Sequence, residues 1–287
     1  MPRIDESVVV LGGGGIWGVA WMTGIILGLA EHGIDLTQAR GFIGTSAGSI
    51  VGSQVAHGYS PAELFGRQTG PTRHPLEGQQ PGGGLAQLMA LVQRPWNDPD
   101  ARTRAIAELA LTASATGAPE SPGEIAERLG VPSNDWPARP LSITAVDTAT
   151  CALCVFNAQS GIGLMDAVAA SCAVPGLRPP IPIQGRLYMD GGLWRNAENA
   201  HLARGQRSVL IVSPFGARMP AGSQSLQADI EMLRQSGTSV ALIAADDEAL
   251  ATMTATGPLD PATRIPAANA GRVQGHREVE KIHTWTG

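Results

Sequence analysis

The chain has 287 residues, of which 43% are hydrophobic and 16% charged, with a net charge of −5. That size buries a sizeable core, and the composition excludes a disordered chain. The weak negative charge, with no run of Lys or Arg, argues against nucleic acid or strongly anionic membranes as the main partner.

Residues 1–6 are acidic and lack the basic-then-apolar order of a signal peptide, so a cytoplasmic location is expected. Val8 to Ala30 carries no charge, and a hydropathy window would read it as a membrane span. The glycines at 12–15 would each cost a helix about 1 kcal/mol relative to Ala. The stretch is therefore read as a buried strand (Ser7–Leu11), a loop and a buried helix (Trp17–Glu31). Gly41–Gly44 is a second short strand, and Ala47–His57 a small-residue helix.

From Gln68 to Asp100 the composition shifts to Pro, Gly, Gln and Arg, as in a loop, cap or lid, with a short helix at Leu85–Val92. Asp98-Pro99 starts a helix that Ala101–Leu111 continues, and 112–119 is a loop. Ser121-Pro122-Gly123-Glu124 is a capping box opening a short helix to Leu129. Leu141–Val146 and Cys151–Phe156 are strands around a turn, and Leu164–Ser171 is helical. Arg186–Met189 leads into Asp190. Strands at Ser208–Val212 and Val240–Ile243, with helices at Leu226–Gln235, Asp246–Ala251 and from Asp260-Pro261 towards His283, complete the order. Strands alternating with helices imply an α/β fold, three layers (α/β/α) around a mostly parallel central sheet. One domain over 1–287 is expected, with a loop or helical cap, a motif-bearing core at about 8–213 and a C-terminal helical part at about 214–287.

Two motifs carry chemistry. Gly13-Gly14-Gly15-Ile16-Trp17-Gly18 follows a strand and opens a helix. Its G-x-G-x-x-G pattern fits a dinucleotide loop, an oxyanion hole or a packing turn. Asp35, near the spacing of a ribose-binding acid, falls in a turn before the second strand begins. Gly44-Thr45-Ser46-Ala47-Gly48 is a G-x-S-x-G between strand and helix, the setting of a nucleophile turn. Its plainer reading is a serine that only caps the helix.

Among the six histidines, His32, His57, His74, His276 and His283 read as surface residues, and His201 is the best placed as a base because it follows the Asp190 loop. Asp190 is the stronger base, since it ends an apolar strand and precedes Gly191 and Gly192. Its plainer reading is a turn aspartate. Cys151, Cys154 and Cys172 are read as structural, because Cys151 and Cys154 would point to opposite faces of one strand. No spacing suggests a metal site, and no cofactor is expected.

Four blocks, taken in order, resemble the patatin-like phospholipases, a family of serine lipid acyl hydrolases. They are the glycine loop at 13–18, the G-x-S-x-G at 44–48, Ala170-Ser171-Cys172-Ala173-Val174-Pro175 with Pro179-Pro180, and Asp190-Gly191-Gly192. The resemblance spans about residues 8–203. It implies a Ser–Asp dyad with Ser46 as nucleophile and Asp190 as base. The oxyanion hole would come from Gly13, Gly14 and Gly15, and Gly18, Gly44, Gly48, Gly191 and Gly192 would support the motifs. The reaction implied is cleavage of lipid acyl esters through an acyl-serine, of the phospholipase A or lipid esterase type. A lipid or acyl ester is the partner implied; peripheral membrane contact is left open, as is the oligomeric state. Two positions depart from the family. Trp17 stands where many members carry Arg or Lys, which adds weight to a neutral ester, and His201 replaces an Asp. A dinucleotide-dependent oxidoreductase and a non-catalytic lipid-binding protein are the rival readings.

Overall fold

A computed structural model describes residues 3–71, 83–112, 121–216, 225–254 and 257–286. The first half contains β1 (Val8–Leu11), α1 (Gly15–Ala30), β2 (Gly41–Thr45), α2 (Ala47–Ala56), α3 (Pro61–Thr69), α4 (Gly83–Gln93), α5 (Pro99–Thr112) and α6 (Pro122–Arg128). The second contains β3 (Leu141–Asp147), β4 (Leu153–Phe156), α7 (Leu164–Ser171), β5 (Ile181–Ile183), β6 (Arg186–Asp190), β7 (Ser208–Ser213), α8 (Leu226–Gln235), β8 (Ser239–Ala244), α9 (Asp247–Leu250) and α10 (Arg264–Thr286). Residues 72–82, within the expected cap, and 113–120, in the expected loop, lie outside the described residues.

Five strands, β3-β2-β1-β7-β8, are parallel, and β4, β5 and β6 are antiparallel additions at the β3 end. β1 is apolar throughout and buried on both faces, as a central parallel strand must be. Val9 and Leu11 face one layer with α1, α2 and α10. Val8 and Val10 face the other, with Leu226, Ile230 and Leu233 of α8. This is the expected three-layer α/β/α architecture. Residues 214–287 are not helical throughout, because β8 in that stretch pairs with β7 and extends the sheet.

The charge-free stretch resolves into strand, loop and helix. α1 is apolar on every side because every side is covered: Trp17, Trp21, Ile25 and Leu29 are fully buried. A Cβ on Gly24 or Gly28 would overlap carbonyl oxygens of Ala268 or Arg272, and one on Gly271 would overlap that of Trp21. Glycine thus lets α1 and α10 cross in backbone contact. No helix among the described residues is long and apolar enough to cross a membrane.

The register of β3 positions the site. Ile143 pairs with both Gly44 and Phe156, and Ala145 with both Cys154 and Asp190. β4 therefore follows one edge of β3, while β2 and β6 share the other edge end to end. Thr45 lies opposite Thr144 and Asp190 opposite Ala145, so the C-termini of β2 and β6 meet. Both chains must turn out of the sheet there, and the G-x-S-x-G and Asp-Gly-Gly motifs are those turns.

Candidate active site

Ser46 leaves β2 at φ +52° and ψ −117°, a backbone strain worth about 1–3 kcal/mol for a residue with a side chain. The surroundings enforce it. A Cβ on Gly48 would overlap the carbonyl oxygen of Leu11, and one on Gly44 would lie 2.6 Å from the carbonyl oxygen of Gly48. The Ser46 N–H donates to Ser171 Oγ at 2.8 Å, and its carbonyl accepts from Ser49 Oγ at 2.6 Å. Ser46 stands at the N-cap of α2 but makes no side-chain capping bond. Its side chain instead lies beside the Asp190 carboxylate, both lining one cavity, and pulls that group's pKa down. That geometry goes against the plain capping reading, and it places the hydroxyl at the positive end of the α2 dipole.

Asp190 ends β6 with only 4% of its surface exposed. Its Oδ1 accepts the Gly192 N–H at 2.8 Å. Burial pushes its pKa up to about 6, against the opposing pull of the Ser46 side chain and the Gly192 N–H. A Cβ on Gly191 would overlap Thr144 Oγ1, so the turn packs on β3. Asn199, left-handed at φ +53°, closes the junction from below. Its Nδ2 donates to the Gly191 carbonyl at 3.1 Å and to Thr45 Oγ1 at 3.2 Å, and Thr45 Oγ1 is 2.8 Å from Thr144 Oγ1. One buried amide thus ties the ends of β2 and β6 to the middle of β3.

The glycine loop forms the wall beside Ser46. A Cβ on Gly13 would sit 3.5 Å from Ser46 Cβ, and Gly18 packs on Pro214. One expectation needs correcting here. The Gly13 N–H donates to the Ala197 carbonyl at 2.8 Å and is committed to the fold. Of the three expected oxyanion donors, only Gly14 and Gly15 remain.

A cavity of 1180 Å³ opens over Ser46, Asp190 and Gly13–Gly15. Its apolar lining includes Val19 and Ile50 beneath and Leu85, Leu88 and Met89 of α4, inside the expected cap. Among the described residues no histidine lines it. His201 lies elsewhere, its Nδ1 3.5 Å from Asp229 of α8 and its ring against Trp194. Cys172 does line the cavity, but burial pushes its thiol up to about 12, so it stays protonated.

Trp17 does not line the cavity; it is fully buried, with its indole N–H donating to Thr252 Oγ1 at 2.8 Å. Its apolar character therefore does not set the polarity of the pocket. Asp35 caps the 3-10 turn Leu36–Gln38, where it binds the Thr37 N–H, and is not at a strand end. Cys151 precedes β4 in a left-handed turn rather than lying in the strand, and all three cysteines are free. Among the described residues no group of His, Cys, Asp and Glu is placed to hold a metal ion.

Three contributors carry little sequence signal: the Ala197 carbonyl, the clamp made by Asn199, and a buried carboxyl at Glu198 whose Oε1 accepts from Ser213 Oγ at 2.6 Å. A polar residue at the last position of β2, Thr45, opposite another within β3, Thr144, is the one hint of the clamp.

The model of the Patatin family, described as patatin-like phospholipase, matches residues 9–203. The chain belongs to the patatin-like phospholipase family, whose chemistry is lipid ester hydrolysis. Among solved structures it is similar to VipD from Legionella pneumophila, at 16% identity and a TM-score of 0.47, covering 96% of this chain and 67% of that one. It is also similar to the type III effector protein ExoU, at 17% identity and a TM-score of 0.44, covering 98% of this chain and 53% of that one. The complex of ExoU with SpcU from Pseudomonas aeruginosa gives 18% identity and a TM-score of 0.41, over 97% of this chain and 53% of that one. This chain thus spans about half the length of ExoU. No curated protein matches it by sequence.

Proposed function

We propose that the protein cleaves acyl esters of lipids through an acyl–Ser46 intermediate, with Asp190 as its sole side-chain base. The placement of Ser46 beside the buried Asp190 carboxylate, in one largely apolar cavity, carries this reading. Asp190 takes the hydroxyl proton as Ser46 Oγ attacks the ester carbonyl. The N–H groups of Gly14 and Gly15 hold the tetrahedral oxyanion, each donor worth about 3–4 kcal/mol in comparable hydrolases. The alcohol leaves with the proton from Asp190. Water then attacks the acyl-enzyme, giving its proton to Asp190, and Ser46 recovers a proton as the fatty acid departs.

A carboxylate is a weak base in water, and burial makes this one stronger. With no third residue to orient it, orientation comes from Gly192 N–H and the Asn199 clamp behind it. Arg67, Arg128, Arg178 and Arg264 line the same cavity, beside Glu127 and Asp260, so a phosphate head group is compatible with it. The dinucleotide reading loses support, because the Gly13 and Trp17 N–H groups of the loop are bonded to protein carbonyls.

Turnover of p-nitrophenyl esters and of phospholipid vesicles by the purified protein tests the proposal. Ser46→Ala and Asp190→Asn should each lower kcat/KM by about a thousandfold or more, on the order of 4 kcal/mol, without lowering the melting temperature. Full activity in Ser46→Ala would refute it.

A further inference from the structure

The family match ends at residue 203, yet the cavity wall does not. Phe215, Pro258, Leu259 and Pro261 complete it. Two of these touch the glycine loop directly. The Pro258 carbonyl accepts the Trp17 N–H at 2.9 Å, one of the first-turn donors of α1 that has no acceptor in its own helix. A Cβ on Gly15 would lie 2.8 Å from the Pro258 carbonyl oxygen and 2.9 Å from Leu259 Cδ2. The Leu259 side chain therefore packs on the Gly15 backbone, in the cavity that Ser46 also lines.

A second bond fixes this contact. The Trp17 indole N–H donates to Thr252 Oγ1 at 2.8 Å, and the indole stacks on Trp21 and Phe215 with centroids 6.0 and 6.3 Å away. Trp17 thus holds the C-terminal segment through both its main chain and its side chain. Within that segment, Thr254 Oγ1 donates to Asp260 Oδ2 at 2.6 Å, and the Ala262 N–H to Asp260 Oδ1 at 2.8 Å, bracing the turn that presents Leu259.

We propose that Leu259 sets the size of the acyl group accepted beside Ser46, and that Trp17 is the positioning residue that latches it there. The inference rests on the hydrolase reading. An ester carbonyl bound between Ser46 Oγ and the Gly14–Gly15 N–H groups carries its acyl substituent next to Gly15, where Leu259 stands. The residue that departs from the family at position 17 then has a function away from the cavity, as the anchor of a wall supplied from outside the family region.

Kinetics on two ester series test this: p-nitrophenyl esters from acetate to palmitate with branched members, and acetate esters of varied leaving group. Leu259→Ala should raise kcat/KM for the bulkiest acyl group relative to acetate by about tenfold, and Leu259→Phe should lower it by a similar factor. Trp17→Phe, which keeps an aromatic ring and removes the indole N–H, should shift the acyl profile in the same direction as Leu259→Ala but less. Superimposable acyl profiles in variants that melt like the wild type overturn the proposal. So does a shift confined to the leaving-group series. Wild-type protein inert to every ester overturns the hydrolase reading and this proposal together, whereas turnover with unchanged profiles overturns this one alone.

Discussion

Ser46 reaches Asp190 because two strands end against each other on one edge of β3, and each of the two residues is shaped by that collision. The acid–base behaviour follows from burial. Asp190 must be ionised to act as base, and its pKa stands at about 6. kcat/KM should therefore rise with pH through about 6; a profile still flat down to pH 4.5 would remove Asp190 from that role. Glu198 makes a separate prediction on stability. It is fully buried behind Gly12, and burial pushes its pKa up to about 7. Ser213 donates to it from the end of β7, and Asp229 on α8 is the neighbouring charge that opposes its ionisation. Because the folded value is raised, its contribution is fully present below the unfolded pKa and is lost as pH rises through about 7. Glu198→Gln should then gain on the wild type between pH 5 and pH 8, by on the order of 2–3 kcal/mol in urea unfolding. An equal difference at both pH values would contradict this.

At the scale of elements, periodicity and punctuation made most of the fold legible. The uncharged Val8–Ala30 stretch divides where its glycines stand, and the Ser121-Pro122-Gly123-Glu124 box does open α6. Two elements lie outside those expected from the sequence. α3 starts with Ser60-Pro61-Ala62-Glu63, a capping box of the same kind, so its signal was present. β5 contains Pro182, which a strand tolerates only at an exposed edge position, and no local pattern announces it. The α1–α10 crossing was invisible, because a glycine in a helix is read as a cost until the facing backbone is known. Glycine substitutions separate the two cases. Gly24→Leu should lower stability by about 2–3 kcal/mol, since the crossing cannot open without repacking. Gly66→Ala in α3, with nothing within 4 Å of its new Cβ, should raise it by about 0.5–1 kcal/mol. Denaturant midpoints measure both.

Over the whole molecule, the site is assembled from both ends of the chain. β1, β2 and their turns supply the loop and Ser46, β6 brings Asp190, and the segment before α10 closes the cavity. The local blocks at 13–18, 44–48 and 190–192 were legible because each is a turn with its own residue requirements. That Gly13 donates to Ala197, that Trp17 faces away from the cavity, and that Leu259 stands beside Gly15 depend on contacts between distant segments, which no local pattern records.

The central claim is that Ser46 is a nucleophile activated by Asp190 alone. Reaction with a fluorophosphonate probe, followed by mass spectrometric location of the adduct, tests it most directly. The account predicts a single adduct on Ser46, lost in Ser46→Ala and reduced to background in a folded Asp190→Asn. An adduct on another residue, or undiminished labelling of Ser46 in Asp190→Asn, would contradict it.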